Sequence, residues 1–545
     1  MAKKYDYSDW SKEDLIKHIY ELEKRKKYGL VWDEEREPEQ VVLQCKKELP
    51  VLKEVKEKEI KNDPDKPTHI LIEGDNYHAL SVLNYTHEKS IDVIYIDPPY
   101  NTGNKDFKYN DRWVESEDSY KHSKWLSFMD NRLKLAKRLL KDTGCIFISI
   151  DDHEQPHLKM LCEEIFGEKN VETYVWNVKD ETEGAMPKTA KYTVRKEHEY
   201  LITCFINKTN IKFNKYEEYT YLEKEDWKNP DNDSRGNWMS GNISRGLSGK
   251  PGSNYYTIIS PTGNEYTRNW SISEEEYNVL FNDNRIYFSK KGAGVPRIKI
   301  FQNESQQVIQ SSIFSNVKSS ITGKNLIIDI LGKCDFNHPK PIELIIRIID
   351  ISSPPNAIIL DYFAGTGTTG HSVLYNNKYG NGNRRFILCT NEEENICTDI
   401  CYPRINNVIQ GYINKNGENI DGLGENLKYF RTDFVPAEST DENKEKLTKQ
   451  SVEMLCLREN IFDFVLEDGP IKIFRNKEKY MAVLFDQSEI PKLKTIISDY
   501  DKHIHIYIFS LGDDNFSDEF LDMSNKITVK SIPAAILRVY KRIFK

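Results

Sequence analysis

From residue 69 onward, short apolar runs alternate with segments of helical periodicity, and this alternation most limits what the chain can fold into. The runs read ILIE, IDVIYID and CIFISI, and EYLITCFI (Glu199–Ile206) follows as a further strand. The segment Ser123–Leu140 places its apolar side chains on one helical face: Leu126, Met129, Leu133, Ala136 and Leu140. Strands that alternate with helices predict an α/β fold, with a parallel sheet covered by helices on both faces.

The second of these runs ends in Asp97-Pro98-Pro99-Tyr100, which combines an acid, a rigid backbone and an aromatic ring. An exocyclic amine on a nucleobase is a poor nucleophile, because its lone pair is delocalised into the ring. Two hydrogen-bond acceptors would favour a tetrahedral nitrogen with a free lone pair. The Asp97 carboxylate can supply one acceptor and the Pro98 carbonyl the other, since prolines restrict the backbone around them. Tyr100 offers a face on which a base can stack.

This chemistry requires a base outside the helix stack, so a target in duplex DNA would have to be flipped into the pocket. The alternative interpretation of the tetrapeptide is a plain turn after a strand, because Asp and Pro are common turn formers. The four residues alone do not separate the two interpretations.

A second apolar run, AIIL, ends in Asp361-Tyr362-Phe363-Ala364-Gly365-Thr366-Gly367. Gly365 and Gly367 allow a sharp turn and a close approach of the backbone to a ligand, and the Thr368-Thr369 pair can cap the helix that follows. The ribose-binding acid of the dinucleotide fingerprint does not follow in a clean form. We therefore expect this loop to hold a nucleoside and an amino-acid moiety rather than a pyrophosphate, although a tight turn of any α/β domain would look similar.

With the Asp97 motif first and the glycine loop second, the chain resembles the β-class of S-adenosylmethionine-dependent amino-methyltransferases acting on DNA. More closely, it resembles the modification (Mod) subunits of type III restriction–modification systems. The resemblance covers about residues 1–435 and includes the segments HILIEGDNYHAL, DPPYNTG, GCIFISIDDHE, EHEYLITCF, HPKP and DYFAGTGTTG. The ordered set is far more specific than any one of its pieces.

The resemblance implies a class I, Rossmann-like methyltransferase fold and a site-specific, adenine-specific DNA methyltransferase. The catalytic residues would be Asp97, Pro98, Pro99 and Tyr100, with no metal needed for the chemistry. The cofactor, S-adenosyl-L-methionine, would lie against the residues of two groups. The first group is Asp75, Lys340, Asp361 and Phe363; the second is Gly365, Gly367, Thr368, and Asn391 or Glu392.

Several of these assignments have a simpler alternative. Lys340 of the HPKP segment could be an exposed lysine before a helix, and Asp75 could be a turn acid after a strand. The strand RRFILC is followed by Thr390 and Asn391 where many relatives carry an acid that holds the ribose hydroxyls. The first acid here is Glu392, so the ribose role is assigned to Asn391 or Glu392.

The pattern and the resemblance together divide the chain into five segments. We expect a helical N-terminal extension (1–66), the catalytic half of the methyltransferase domain (67–207), a target-recognition domain (208–325), the cofactor-binding half (326–435) and a C-terminal α/β interaction domain (436–545). The third segment is polar and aromatic. It supplies residue types that read base edges, among them Arg235, Asn237, Arg245 and Arg297.

Composition is compatible with these expectations without leading to them. With 545 residues the chain is too long for one core, and its net charge of −9 argues only mildly against a nucleic-acid partner, because a local basic cleft can exist on an acidic protein. No run of about 18 apolar residues is present, so we expect no membrane span. The start lacks an apolar signal region, and the nine cysteines are scattered. A cytoplasmic location is expected.

The expected partners are double-stranded DNA, a second copy of the chain in a homodimer, and a separate restriction (helicase–nuclease) subunit. The chain has no G-x-x-x-x-G-K-[ST] motif, so a helicase would have to be another polypeptide. Two alternatives remain open: methylation of cytosine at N4, and a non-catalytic DNA-recognition subunit of a nuclease complex. The presence of Asp97, Tyr100, Gly365 and Gly367 argues against the second.

Overall fold

The computed structural model divides the chain into two compact units. The first comprises residues 1–214 and 311–545, and the second is Lys215–Gln310. No helix in the described part of the chain is long and apolar enough to cross a membrane. The structure describes residues 10–24, 32, 37–178, 196–219, 227–245, 251–302, 305–315, 317–334, 336–380, 382–512, 514 and 516–544.

The part of the first unit that precedes residue 215 contains the Asp97 motif, with strands and helices before and after it. Its strands up to residue 214 are β1 Glu48–Glu54, β2 Thr68–Glu73, β3 Ile91–Ile96, β4 Lys108–Tyr109, β5 Arg112–Trp113, β6 Leu140–Ile150, β7 Val171–Asn177 and β8 His198–Phe205. Its helices there are α1 Lys12–Lys24, α2 Gln40–Cys45, α3 Asn76–Thr86, α4 Lys121–Leu139 and α5 Gln155–Phe166.

The second unit has its own small core, formed by Ile243, Ile258, Trp270, Tyr277, Ile286 and Phe288. Its strands are β9 Tyr216–Tyr219, β10 Trp238–Asn242, β11 Tyr255–Ile259, β12 Glu265–Asn269, β13 Ile286–Phe288, β14 Pro296–Phe301 and β15 Ser305–Val308, and its helical elements are α6 Glu274–Asn282 and the single turn α7 Ser289–Gly292. Strands β10, β14 and β13 form an antiparallel sheet, and β11–β12 and β9–β15 form antiparallel pairs.

The chain then returns to the first unit. The strands that follow are β16 Ile313–Phe314, β17 Ile358–Asp361, β18 Arg385–Thr390, β19 Gly411–Ile413, β20 Asn419–Asp421 and β21 Asn426–Pro436. The helices are α8 Ser320–Leu331, α9 Ile342–Ser352, α10 Thr368–Tyr379 and α11 Tyr402–Gln410, with a π-helical turn at Ile396–Cys401.

The C-terminal part contains β22 Asp463–Asp468, β23 Ile471–Arg475, β24 Lys479–Leu484, β25 His503–Phe509 and β26 Ile527–Ile532. Its helices are α12 Asp441–Gln450, α13 Val452–Glu459, α14 Ile490–Ile497 and α15 Ala534–Ile543. The five strands form one mixed sheet in chain order.

The large sheet of the first unit has ten strands in the order β1-β21-β2-β18-β17-β3-β6-β8-β7-β16. The strands from β21 to β6 are parallel, whereas β8 pairs antiparallel with both β6 and β7. All residues of β3 and β17 are buried, as expected for parallel strands with helices on both faces. The predicted α/β class and Rossmann-like arrangement are confirmed.

Two expected boundaries differ from the structure. Residues 48–54 form β1 at the edge of the large sheet, antiparallel to β21, where we expected a helical extension. Leu49, Val51 and Leu52 of this strand are buried, because their side chains pack into the hydrophobic core. Residues 311–325, which we assigned to the insert, include β16, which pairs with β7 of the first unit. Parts of the N-terminal segment (1–9, 25–31 and 33–36) lie outside the described residues.

The C-terminal segment contains the α/β elements that we expected, but it is part of the first compact unit. Tyr540 of α15 donates a hydrogen bond to the carbonyl of Pro50, and Arg458 of α13 donates to the carbonyl of Tyr85 at 2.7 Å. Both contacts join this segment to elements near the large sheet. Ile536 and Tyr540 also lie in the same hydrophobic core as residues of the large sheet. Burial of apolar surface therefore holds the C-terminal segment in the first unit, in addition to the covalent connection.

Candidate functional site

The two sequence motifs meet because they follow neighbouring parallel strands. Strands β3 and β17 pair in register, with Val93 opposite Ile359 and Ile94 opposite Leu360. The carboxyl ends of parallel strands lie at the same edge of a sheet, so Asp97 and the glycine loop open onto the same side. In open α/β sheets this edge is where ligands bind, at the point where the strand order reverses.

The Asp97 motif is held by a compact hydrogen-bond cluster. The Tyr100 hydroxyl lies 3.0 Å from Asp97 Oδ1 and 2.8 Å from Glu199 Oε2. It accepts a hydrogen bond from Lys340 Nζ at 2.8 Å. A phenol has one hydrogen to donate, so Tyr100 can donate to only one of the two carboxylates at a time.

Lys340 lies between the same two carboxylates and is almost fully buried. Its ammonium is 3.1 Å from Asp97 Oδ1 and 3.1 Å from Glu199 Oε2. Burial alone would lower the pKa of Lys340, but the two carboxylates more than offset this and hold it above its ordinary value. The alternative of an exposed lysine before a helix is therefore wrong. The structure places Lys340 beside Asp97, whereas the resemblance implied a place beside the cofactor.

The charge of Asp97 depends on this lysine. Burial raises the pKa of Asp97 above its ordinary value, Lys340 opposes that rise, and the negative charge of Glu199 adds to it. An ionised carboxylate accepts a hydrogen bond from a substrate amine more strongly than a protonated one does. Lys340 thus favours the form of Asp97 that the proposed chemistry needs.

Glu199 is a member of the cluster that the sequence analysis did not assign. It lies in β8, which is antiparallel to β6 and next to it in the sheet. The segment EHEYLITCF was part of the resemblance, but nothing local to it indicated which side chain would face Tyr100. Alternation along the strand gives two candidates, Glu197 and Glu199, on the same face. The contact with Tyr100 identifies Glu199.

The backbone of the motif is fixed from the side of α4. The indole of Trp125 donates to the carbonyl of Pro99 at 2.7 Å, and Pro98 is buried. This interaction occupies the Pro99 carbonyl and restrains the turn on which the Pro98 carbonyl sits. The role of Pro98 as the second acceptor stays a prediction.

The glycine loop begins at Asp361, whose carboxyl group holds the loop together. It accepts hydrogen bonds from the backbone N–H of Phe363 at 3.0 Å and from the hydroxyl of Thr369 at 2.5 Å. Burial raises the pKa of Asp361 to about 7, although both hydrogen bonds oppose the rise. Asp361 thus links the end of β17 to the first turn of α10, a supporting position within the expected set of cofactor residues.

Gly365 and Gly367 both have positive φ, at 50° and 78°, a conformation that glycine adopts without strain. They differ in their surroundings. A Cβ on Gly365 would lie 3.7 Å from the ring of Phe336 and 3.8 Å from the carbonyl of Phe363, whereas a Cβ on Gly367 would lie 3.1 Å from Cys401 Sγ and 3.4 Å from Ile405. Gly367 thus allows the loop to pack on the helix beneath it.

The expected capping of α10 by Thr368 and Thr369 is not found: Thr368 is the first residue of the helix, Gly367 precedes it, and no described side chain caps this end. The Thr368 hydroxyl accepts a hydrogen bond from the buried Arg404 at 3.0 Å and lies 3.3 Å from the carbonyl of Lys340. Arg404 also donates to the hydroxyl of Thr366 at 3.1 Å. The structure therefore shows Thr368 in a supporting contact that connects the glycine loop to the Lys340 segment.

Asp75 follows β2 at the same edge of the sheet. Its carboxylate caps α3 by accepting from the N–H of Tyr77 at 2.7 Å, and it lies 3.5 Å from the guanidinium of Arg132. Asn76 donates to the carbonyl of Tyr362 at 3.0 Å. The turn after β2 is thereby tied to the glycine loop, and about a third of the Asp75 side chain remains exposed.

The two candidates for the ribose role follow β18. Glu392 accepts a hydrogen bond from the N–H of Thr398 at 3.2 Å and another from its hydroxyl, so its carboxylate caps the π-helical turn. Asn391 is exposed. The capping contact favours Asn391 as the side chain that can face a ligand at this strand end.

Four residues of the insert were named as types that could read base edges, and among the described contacts Arg235 is the one whose side chain is held by ion pairs within the insert. It forms ion pairs with Asp233 at 2.9 Å and Asp283 at 2.8 Å. Arg297 donates to the carbonyl of Ser240 at 3.2 Å, whereas Arg245 is exposed. Arg235 is thus a poor candidate for a base contact.

Comparison with known proteins adds a family match. A family model described as DNA methylase (N6_N4_Mtase) matches residues 91–400. The Mod subunit of the type III restriction-modification enzyme StyLTI of Salmonella typhimurium is 35% identical over 348 residues, covering 59% of this chain and 52% of that protein. The type II methyltransferase M.KpnI of Klebsiella pneumoniae is 31% identical over 350 residues, covering 60% of this chain and 82% of that protein.

The chain spans about half the length of the StyLTI Mod subunit. Among solved structures, the M1.HpyAVI–SAM complex is similar with a TM-score of 0.28 and 16% identity, covering 62% of this chain and 97% of that one. The PvuII DNA methyltransferase (cytosine-N4-specific) has a TM-score of 0.32 and 12% identity, covering 66% of this chain and 98% of that one. Similarity at this level establishes neither substrate nor cofactor.

Proposed function

This chain belongs to the DNA methylase family whose model matches residues 91–400, and on that premise we propose that it is a site-specific DNA methyltransferase acting on N6 of adenine. The observation that carries the proposal is the placement of Asp97 and the glycine loop at the carboxyl ends of two neighbouring parallel strands. A hydrogen-bond acceptor for an amine and a loop shaped for a nucleoside thus open onto one edge of the sheet.

We propose S-adenosyl-L-methionine as the cofactor, and the site has features that fit it. Gly365 is not crowded, since the atoms nearest to a Cβ there would be 3.7 and 3.8 Å away. Asp75 and Asn391 follow the strands β2 and β18, which neighbour each other in the sheet. Phe363 is partly buried beside Phe128 and offers an apolar surface. The bound cofactor would supply an electrophilic methyl group to the substrate nitrogen.

The chain's own residues would prepare the amine. Asp97 and the Pro98 carbonyl would accept its two hydrogens, and the ring of Tyr100 would stack on the flipped base. Lys340 opposes the rise in the pKa of Asp97, and together with Glu199 it restrains the Tyr100 hydroxyl. These contacts act before the methyl transfer, by fixing the geometry of the acceptor groups.

We further propose that the chain is the modification and recognition subunit of a type III restriction–modification system. The Mod relatives support this, and the compact insert Lys215–Gln310 would read the DNA sequence. The proposed partners are double-stranded DNA, a second copy of the chain and a separate helicase–nuclease subunit. All nine cysteines are unpaired, which fits a reducing cytoplasm.

Analysis of the methylated product tests the proposed base. The chain would be incubated with unmethylated genomic DNA and S-adenosylmethionine labelled in the methyl group, and the DNA digested to nucleosides and separated. We expect the label in N6-methyl-2′-deoxyadenosine. Label in N4-methylcytosine would keep a methyltransferase but overturn the adenine assignment. A folded chain that binds DNA without transferring label would support the non-catalytic alternative.

A further inference from the structure

Two histidines and a buried carboxylate come together beside the Asp97 motif. His122 lies in the first turn of α4, Glu154 is the residue that precedes α5, and His157 follows in the first turn of α5. Nδ1 of His122 is 2.6 Å from Glu154 Oε1, and Nδ1 of His157 is 3.0 Å from Glu154 Oε2. One ligand atom from each residue lies within 4.8 Å of the other two.

The carboxylate of Glu154 is fully buried. Its Oε1 accepts a hydrogen bond from Asn101 at 2.6 Å and is in hydrogen-bond contact with Nδ1 of His122 at 2.6 Å, while His157 and Lys121 act on the carboxylate electrostatically. Within the described part of the chain, Oε2 has no partner in hydrogen-bond geometry, and neither has Nδ1 of His157, although the two atoms are 3.0 Å apart. A buried oxygen left in this state is costly.

The three ligand atoms converge closely enough for one positive ion to contact all of them. We propose that His122, Glu154 and His157 form a binding site for one divalent transition-metal ion, of which Zn²⁺ fits best. Two imidazoles and one carboxylate are a ligand set that zinc accepts, with distances of about 2.0–2.2 Å to nitrogen and oxygen. Imidazole ligands disfavour Mg²⁺ and Ca²⁺, which prefer oxygen.

Partial exposure of the two histidines supports access to the site. The side chains of His122 and His157 are 42% and 35% exposed, whereas Glu154 is at 0%. An ion can therefore enter from solvent while its carboxylate ligand stays fixed below. A water molecule would complete the four-coordinate geometry that zinc prefers.

The site is connected to the Asp97 motif through Asn101, the residue after Tyr100. Asn101 is buried, has a φ of 57° and donates both to Glu154 Oε1 and, at 3.2 Å, to the carbonyl of Lys121. A metal ion on Glu154 would thus join the starts of α4 and α5 and hold the end of the catalytic turn. We assign the ion a bracing role that is separate from the methyl transfer itself.

Zinc binding by the full-length, untagged chain tests the proposal directly. The chain would be dialysed against a chelator, the chelator removed, and Zn²⁺ alone titrated by calorimetry; binding of one equivalent per chain is expected. His157→Ala removes a partly exposed ligand and should retain the fold. Its affinity for Zn²⁺ should fall by at least about 100-fold, because loss of an outer-shell partner alone costs 10–100-fold. His153→Ala is the matched control, since His153 is exposed beside the same helix but pairs with Asp151, and it should bind as the parent does.

A second measurement separates this site from zinc held by cysteines or by the surface. Co²⁺ would be added to the same three proteins, and visible absorption bands of a low-symmetry nitrogen–oxygen site, without thiolate charge-transfer bands, are expected in the parent and His153→Ala only. The parent should also melt at a higher temperature with Zn²⁺ than with chelator, since a ligand of the folded state stabilises it. Failure of the parent to bind Zn²⁺, or equal binding by His157→Ala, would overturn the proposal. Neither outcome bears on the methyltransferase assignment.

Discussion

The ammonium of Lys340 lies 2.8 Å from the hydroxyl of Tyr100, although the two residues are 240 positions apart in the chain. The same ammonium is 3.1 Å from Asp97 and from Glu199. A segment before the glycine loop thus supplies the positive charge for a motif that lies before the insert. This contact makes the charge of the catalytic turn depend on both halves of the large sheet.

Replacement of Asp97 by alanine should abolish methyl transfer. The carboxylate is proposed to accept a hydrogen bond from the substrate amine, and loss of such a group costs at least about 100-fold in kcat. Glu199 continues to neutralise Lys340 in the variant, so the fold and the binding of S-adenosylmethionine should be retained. Transfer of labelled methyl groups to DNA measures the effect, and the exposed Glu117 changed to alanine is the control. Near-normal turnover by Asp97→Ala would show that Asp97 is not catalytic.

Replacement of Lys340 by methionine should move the acid limb of the pH–rate profile to higher pH. Burial already raises the pKa of Asp97 and Lys340 opposes that rise, so without the lysine the pKa rises further. Protonated Asp97 is a weaker acceptor of the amine hydrogen, and activity should therefore begin to fall at a higher pH than in the parent. The profile of kcat against pH is the measurement, with Lys378→Met as an exposed control in α10. A profile that keeps the parent's acid limb and loses only amplitude would contradict this role.

Replacement of Gly367 by valine should weaken the binding of S-adenosylmethionine by displacing the loop. Its Cβ would lie 3.1 Å from Cys401 Sγ, and its backbone has a φ of 78°, which costs an L-residue about 1–2 kcal/mol. Gly417→Val is the matched control, because Gly417 has a φ of 81° with nothing near its Cβ. Calorimetry on both folded variants should show a loss of affinity in Gly367→Val alone. Unchanged affinity there would remove the loop from the cofactor site.

Replacement of His87 by glutamine should reduce the loss of stability in acid. Burial, aided by Arg385 and Arg458, lowers the pKa of His87 to about 3, so the folded chain holds it neutral. The unfolded chain takes up a proton below about pH 6.5, and stability is therefore lost between that pH and about 3, by up to about 1.4 kcal/mol per pH unit. Urea unfolding across this range should show a shallower pH dependence for His87→Gln than for the parent and His153→Gln. Parallel curves for all three proteins would contradict the prediction.

Exchange of the insert should change the DNA sequence that is methylated without changing the methylated base. The compact unit Lys215–Gln310 would be replaced by the corresponding unit of a relative with another recognition sequence. Sequencing of modified bases in a host that expresses the chimera reads the outcome. A folded, active chimera that still marks the parent's site would show that this unit is not the reader. Light scattering of the parent on DNA tests the proposed homodimer independently.

The separate elements of the site can be predicted from local sequence patterns. Runs such as IDVIYI form buried strands because five of the six residues are aliphatic or aromatic and the sheet is covered on both faces. The exception, Asp92, accepts hydrogen bonds from Lys141 and from the N–H of Ile358. The residue types Asp97 and Gly367 follow those strands in the chain, and each carries its property, a carboxylate or freedom at positive φ, wherever the strand is placed. Period and residue chemistry are short-range, so the α/β class could be predicted and was confirmed.

Which of these elements are neighbours depends on the fold and cannot be predicted from local sequence patterns. Strand β17 lies next to β3 although the insert separates them in the chain, and it is this pairing that brings the glycine loop to Asp97. Glu199 and Lys340 approach Tyr100 from β8 and from the turn before α9, and His122 approaches Glu154 in the same way. Long-range contacts depend on the order of strands and on the burial of whole faces. The entropic cost of closing a loop rises only slowly with loop length, so the separation of two residues in the chain does not select which of them meet. The reactive groups of the site can therefore be predicted from the sequence, whereas the charges that surround them are known only from the fold.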